Sequence, residues 1–197
     1  SLYADLERYE EAIADFTRCL ELSPFPIDEE KAYYQRAEAY LFLEQYDNAV
    51  KDINKLIELH PEKGVYYYLK AQCCEGLLTM STDANQYYNY KSTVIDNYNK
   101  AIDLSPNYYS AYRDLGDFYY FFQEFDKSLY NFNKAIEADS TWPVVYYYRA
   151  NAFLDLKQYD NALYNYNKAI KLYKHQWGED YYDAYIGRGK IYAKKLD

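Results

Sequence analysis

Apolar positions along this chain recur at three- and four-residue intervals, and the recurrence itself repeats. In one stretch Tyr146, Ala150 and Phe153 share a face. After the polar break LKQYDNA, Ala162, Tyr166 and Ala169 share another. Spacing of i, i+3, i+4 and i+7 gathers apolar side chains on one stripe of an α-helix, so the stretch predicts two amphipathic helices joined by a short turn. Asp160 is the expected N-cap of the second. The same two-helix pattern returns from Ala32, Val65 and Ala111, and its first half returns from Ala184. Small residues in the middle of each first helix are Ala37, Ala71, Gly116, Ala150 and Gly189, separated by 34, 45, 34 and 39 residues. A 34-residue period with insertions of 11 and 5 accounts for every step. Pro24, Pro61 and Pro106 are placed to end second helices, since proline cannot continue a helix.

Such hairpins cannot bury both faces alone and must stack on their neighbours. The predicted organisation is a single array over 1–197: a partial repeat at 1–24, repeats at 30–63, 64–108, 109–142 and 143–176, and a partial repeat at 182–197. Residues 1–24 read as the tail of one helix followed by a second, YEEAIADFTRCLELSP. The two ends read as a fragment of a longer array, with end-to-end self-association expected of uncovered terminal hairpins. The insertion in 64–108 keeps helical spacing through Tyr87, Tyr90, Val94, Tyr98 and Ala101. It predicts that both helices of that hairpin are lengthened, with STDAN as the turn and Ser81 or Asp83 as N-cap.

Tyr112, Leu115, Gly116 and Tyr119, followed by Phe132 and Ala135, resemble the signature of the tetratricopeptide repeat family. Ser128 stands where that pattern usually has alanine, and Ser140 where it usually has proline. The resemblance covers nearly the whole chain. It implies an all-α, right-handed superhelical solenoid of helix hairpins whose concave face, built mainly from first helices, binds peptide segments of other proteins. It therefore implies a non-enzymatic interaction scaffold. The alternatives it leaves open are the regulatory or substrate-recruiting region of a larger enzyme and, with less support, a nucleic-acid-binding helical repeat.

Composition narrows the partners. The formal charge is −9 and the pI about 4.8, which speaks against phosphate backbones and against anionic membrane surfaces. No apolar run reaches the length of a membrane-spanning helix. Cys19, Cys73 and Cys74 lack disulfide or zinc spacing and read as small core residues in a reducing, cytoplasmic setting. His60 and His175 read as solvent-facing residues at helix ends. GRG at 187–189 reads as a site of close helix packing. No catalytic or metal-binding constellation and no cofactor motif is apparent.

Tyrosine supplies 30 of the 197 residues, including the triplets 66–68 and 146–148. Counting four residues back from Ala71 and Ala150 predicts Tyr67 and Tyr146 as core aromatics. The following residue, and the one four later, should then face the groove. Those positions are Tyr34 and Glu38, Tyr68 and Gln72, Arg113 and Asp117, Tyr147 and Asn151, and Ile186 and Lys190. Tyrosine and arginine are frequent interface anchors, so this set is the candidate peptide-binding face. Some members of the family hold acidic chaperone tails with a lysine–asparagine clamp on the first of three helices. None of these pairs supplies that clamp.

Overall fold

The computed structural model describes residues 2–22 and 26–194. Among them are ten helices and no strand. In chain order they are α1 (Leu2–Leu22), α2 (Pro26–Phe42), α3 (Tyr46–Leu59), α4 (Gly64–Met80), α5 (Ala84–Leu104), α6 (Tyr109–Phe121), α7 (Phe125–Ala138), α8 (Pro143–Asp155), α9 (Tyr159–Trp177) and α10 (Tyr182–Lys194). They fall into two compact units, residues 1–106 and 107–197. Within each unit every helix packs on the next in sequence, the antiparallel neighbour that a short connection dictates.

The second-helix core position is held by Ile53 in α3, Tyr98 in α5, Phe132 in α7 and Tyr166 in α9, all fully buried. Against it stand the small first-helix residues Ala37, Ala71, Gly116 and Ala150. A Cβ on Gly116 would lie 2.7 Å from the Phe132 ring. Close approach also governs α10, where a Cβ on Gly187 would fall 2.3 Å from the Tyr166 ring. Gly189 has open space around it, so only the first glycine of GRG is a packing site.

The residue before each of these is a buried polar one that periodicity did not disclose. Asp52, Asn97, Asn131 and Asn165 occupy equivalent positions and are all buried. Each asparagine donates its side-chain amide to the carbonyl four residues back, of Thr93, Lys127 and Asn161 respectively. Asp52 instead takes a two-pronged ion pair from Arg36, with both contacts at 2.7 Å. Arg149, the counterpart of Arg36, donates to Asn165 within its own hairpin and to Asn133 on α7. Arg188 repeats the backward contact, reaching Asn167 on α9.

Turns between hairpin helices use a left-handed residue that is not glycine: Glu44, Gln123 and Lys157, with φ between 56° and 59°. The amide following each bonds a carbonyl five residues back, and its own amide bonds three residues back, closing the preceding helix. The inserted hairpin departs from this. There α4 is four residues longer than α6 and α5 is seven longer than α7, which together absorb all eleven inserted residues. One and two added turns keep the buried faces in phase. Asp83 caps α5 by accepting from the Gln86 amide, whereas Ser81 is the C-cap of α4.

Several expectations are corrected. Residues 2–22 form one continuous helix rather than a tail, turn and second helix. The would-be turn at Leu6–Arg8 contains strong helix formers and no glycine, and a left-handed residue there would cost ~1–2 kcal/mol. Asp160 lies inside the first turn of α9, whose N-cap is Gln158 without a side-chain bond. Its carboxylate suits the positive helix end without capping it. Pro61 and Pro106 do follow α3 and α5, while Pro24 lies outside the described residues. Cys73 and Cys74 are buried but Cys19 is exposed. Burial pushes the two inner thiols up to about 12 and about 11, which keeps them protonated and unreactive at neutral pH. His175 is exposed as expected. His60 is instead paired, its Nε2 lying 2.9 Å from Glu30.

The first tyrosine triplet is also rephased. Tyr66 is the buried ring, at 3% exposure, and Tyr67 is only half-buried, its hydroxyl donating to the Pro61 carbonyl. The fully enclosed position is one residue earlier than counting from Ala71 suggests, as the buried series Ala32, Tyr66, Ala111, Val145 and Ala184 shows. A tyrosine fits there only in α4, where its ring meets Tyr34 and its hydroxyl donates to Glu30. In the second triplet Tyr146 is buried, as expected. Tyr66→Ala and Tyr146→Ala are therefore expected to lose ~3–5 kcal/mol in denaturant melts. Tyr67→Ala should lose under about 1 kcal/mol, and equal losses at Tyr66 and Tyr67 would contradict this phasing.

Glu30 yields a pH prediction. Hydrogen bonds from Lys63 and Tyr66 hold its carboxyl below the ordinary value of 4.5. A depressed folded-state pKa contributes stability that is present above the unfolded value and is lost as pH falls through the folded one. The stability gap between the wild type and Glu30→Gln should therefore be widest above 4.5 and close on further acidification. A gap independent of pH would show that the Glu30 charge contributes nothing.

Candidate functional site

In the first unit, the half-buried Tyr68 ring rests on the buried Tyr98 ring at 5.9 Å and 53°. Its hydroxyl accepts from Gln72 Nε2 at 2.9 Å, so these two predicted residues act as one polar-tipped shelf. Tyr34 lies 6.3 Å from the Tyr66 ring. Glu38 is exposed and accepts from Gln35. The Tyr34–Glu38 pair therefore shows a ring anchored in the hairpin and a solvent-facing carboxylate.

The second unit repeats the shelf. Tyr147 packs on Tyr166 at 6.2 Å and 53°, nearly the geometry of the equivalent pair in the first unit. It also meets Tyr148 and Tyr181 at 5.6 and 5.4 Å. This similarity has a simple cause. The second-helix core position and the residue after the first-helix flank are fixed relative to each other by the hairpin, so two tyrosines placed there must meet at one angle.

Here the helices enclose a cavity of about 300 Å³. Four predicted residues line it: Tyr147 and Asn151 from α8, and Ile186 and Lys190 from α10. Others that the sequence did not single out complete it: Tyr120 from α6, Leu154 and Asp155 from α8, Tyr166 from α9, and Asp183 and Gly187 from α10. A signal for some was present. Asp155 continues the series 147, 151 by one further i+4 step, and Asp183 lies one turn before Ile186. Tyr120 and Tyr166 enter through the packing between hairpins, and Gly187 lines the cavity where α10 must approach the Tyr166 ring.

Hydrogen bonding inside the cavity has a direction. Tyr166 donates its hydroxyl proton to Asn151 Oδ1 at 2.6 Å, and Tyr120 donates to Asp155 Oδ2 at 2.5 Å. Burial pushes both hydroxyls well above the ordinary tyrosine range, and for Tyr120 the bond to Asp155 adds to it. Both protons therefore stay in place at neutral pH.

Arg113 and Asp117 are not among the residues lining this cavity. Arg113 donates to its neighbour Asp114 at 2.6 Å and lies over the Tyr109 ring. Asp117 is half-buried, and desolvation raises its carboxyl above the ordinary range, with Asp114 adding to the effect. Among the described residues no group of His, Cys, Asp and Glu is arranged to hold a metal ion. Nor is any helix there long and apolar enough to cross a membrane.

Comparison with known proteins places these features. Family models described as tetratricopeptide repeat match residues 1–26, 30–63 and 143–176. Two of these ranges coincide with repeats read from the 34-residue period. No curated protein sequence matches the chain. Among solved structures, TTC0263, a thermophilic TPR protein of Thermus thermophilus, is 23% identical. It aligns over 98% of this chain and 94% of its own, with a TM-score of 0.72. MamA is 20% identical over 87% and 92% of the two chains, with a TM-score of 0.70. YrrB, described as a TPR protein with an unusual peptide-binding site, is 21% identical over 98% and 87%, at 0.65. These likenesses are to the fold: an all-α repeat of helix hairpins. With three matched repeats, a 34-residue period and packed helix hairpins, this chain carries tetratricopeptide repeats and shares the all-α fold of the TPR proteins that it resembles.

Proposed function

We propose that this chain is a non-enzymatic protein-interaction scaffold that holds a peptide segment of a partner against its first-helix faces. The observation that carries this reading is the cavity between α6, α8 and α10. It joins Tyr147, Asn151, Ile186 and Lys190 in a concave, mixed polar and aromatic surface. Recognition sites for peptides combine aromatic area with a few placed polar groups, and this one has both. Tyr68 and Gln72 offer the same combination in the first unit. The tetratricopeptide repeats and a structural relative described by its peptide-binding site support the reading. Tyr34, Glu38, Arg113 and Asp117 complete the proposed contact set.

A short-peptide display library selected on the chain should yield binders that Tyr147→Ala weakens by about tenfold, a loss of ~1.4 kcal/mol. Because Tyr147 also packs on three rings, Ile186→Ser, which changes an exposed cavity residue, serves as a second variant. Binders indifferent to both substitutions would refute the proposed face. The lengthened α4–α5 hairpin, which exposes Met80 and Tyr88, is a proposed second contact surface. Deleting residues 79–89 should leave cooperative melting intact and reduce binding of a selected partner. Unchanged binding would assign the extension no part in recognition.

A further inference from the structure

We infer that the cavity between α6, α8 and α10 receives a basic side chain, lysine or arginine, from the bound segment. This inference rests on the peptide-binding reading and names what this pocket would select. The argument begins with the polarity of the lining hydrogen bonds. Tyr166 and Tyr120 have each committed their only proton inward, to Asn151 and to Asp155. A phenol whose proton is committed presents only lone pairs; Tyr166 is sealed beneath Gly187, and the half-buried Tyr120 offers its oxygen as an acceptor. The carboxylates of Asp155 and Asp183 add further acceptors. Against these stand two donors, the Asn151 side-chain amide and the Lys190 ammonium. The remaining capacity is mostly acceptor, and its charge is two carboxylates against one ammonium. Lysine and arginine carry donors and no acceptor, which complements that excess.

The walls agree with this. Tyr147 and Tyr120 supply aromatic surface, while Leu154 and Ile186 supply aliphatic surface. A long basic side chain lays its methylene stem on apolar surface and its cationic head against π-faces and carboxylates. An acidic side chain would have Lys190 as its charge partner but would meet Asp155, Asp183 and the Tyr120 oxygen, whose proton is turned away. The cavity volume, about 300 Å³, is large enough for one such side chain and its hydration water. The overall charge of −9 favours encounter with basic segments from a distance.

The test uses capped alanine peptides with a single central arginine, lysine, citrulline, norleucine or glutamate, titrated into isotopically labelled protein and followed by amide NMR shifts. Arginine and lysine peptides should move the Asn151 side-chain amide and the Gly187 backbone amide, and added salt should weaken the effect. Asp155→Asn and Asp183→Asn should each weaken binding by about fivefold, and Lys190→Gln should strengthen it, the scale of solvent-accessible charge pairs. Preference for the glutamate peptide, with loss on Lys190→Gln, would overturn the inference in favour of an acidic guest. Equal response to norleucine and lysine would overturn it in favour of an apolar guest. No shift with any peptide would also overturn it. If library-selected peptides still bind through Tyr147 without a basic residue, this inference alone falls. If the library yields no binders, the peptide-binding reading falls with it.

Discussion

The structure depends on a distance: how closely a first helix can approach the ring or branched side chain at the centre of a second helix. Ile53, Tyr98, Phe132 and Tyr166 are completely enclosed. Enclosing residues that large is possible only where the facing helix presents a methyl group or less. Gly116 against Phe132 and Gly187 against Tyr166 are the tightest cases. Everything placed by the hairpin follows from this approach. It sets the angle at which Tyr68 meets Tyr98 and Tyr147 meets Tyr166, and so the tilt of both proposed recognition rings.

Apolar burial alone would leave the hairpins free to slide, because dispersion and hydrophobic contact carry little direction. The buried polar residues supply direction. Each buried asparagine ties its amide to the carbonyl one turn back, which leaves its own carbonyl free to be read by an arginine. Arg149 uses that opening to bind Asn165 while also reaching Asn133 on the preceding helix. One guanidinium thus links two successive repeats with fixed geometry, since its donors lie in a rigid plane. In the first unit Asp52 replaces asparagine and Arg36 supplies the charge that a buried carboxylate demands.

The period, the hairpins and the lengthened α4–α5 pair were legible in the sequence because they follow from spacing, which burial enforces over many residues at once. Single positions were less legible. Tyr66 and Tyr67 are chemically identical neighbours, so composition cannot say which ring turns inward. The answer lies in the buried series that runs from Ala32 to Ala184, and in that series the ring is the exception among small residues. Helix α1 escaped for a different reason: its sequence copies the turn pattern of its neighbours, yet local propensity permits continuation. Four of the ten cavity residues were legible because i+4 spacing on one helix is a sequence property. Tyr120 and Tyr166 were not, since they arrive from other helices across a packing contact.

The same distinction bears on what the site recognises. Net charge is read directly from sequence, but it describes the whole surface and cannot distinguish a cavity that binds cations from one that binds anions. The direction of a phenol proton can. Tyr166, sealed beneath Gly187, donates to Asn151 Oδ1, and the half-buried Tyr120 donates to Asp155, so the hydroxyl that reaches the cavity is a donor toward the protein and an acceptor toward a guest. The close approach at Gly187 brings α10 against the Tyr166 ring and sets Asp183 and Lys190 on the same cavity as Asp155. A packing constraint between α9 and α10 therefore gathers the charges presented at the surface, and through them the chemistry of the side chain that can enter.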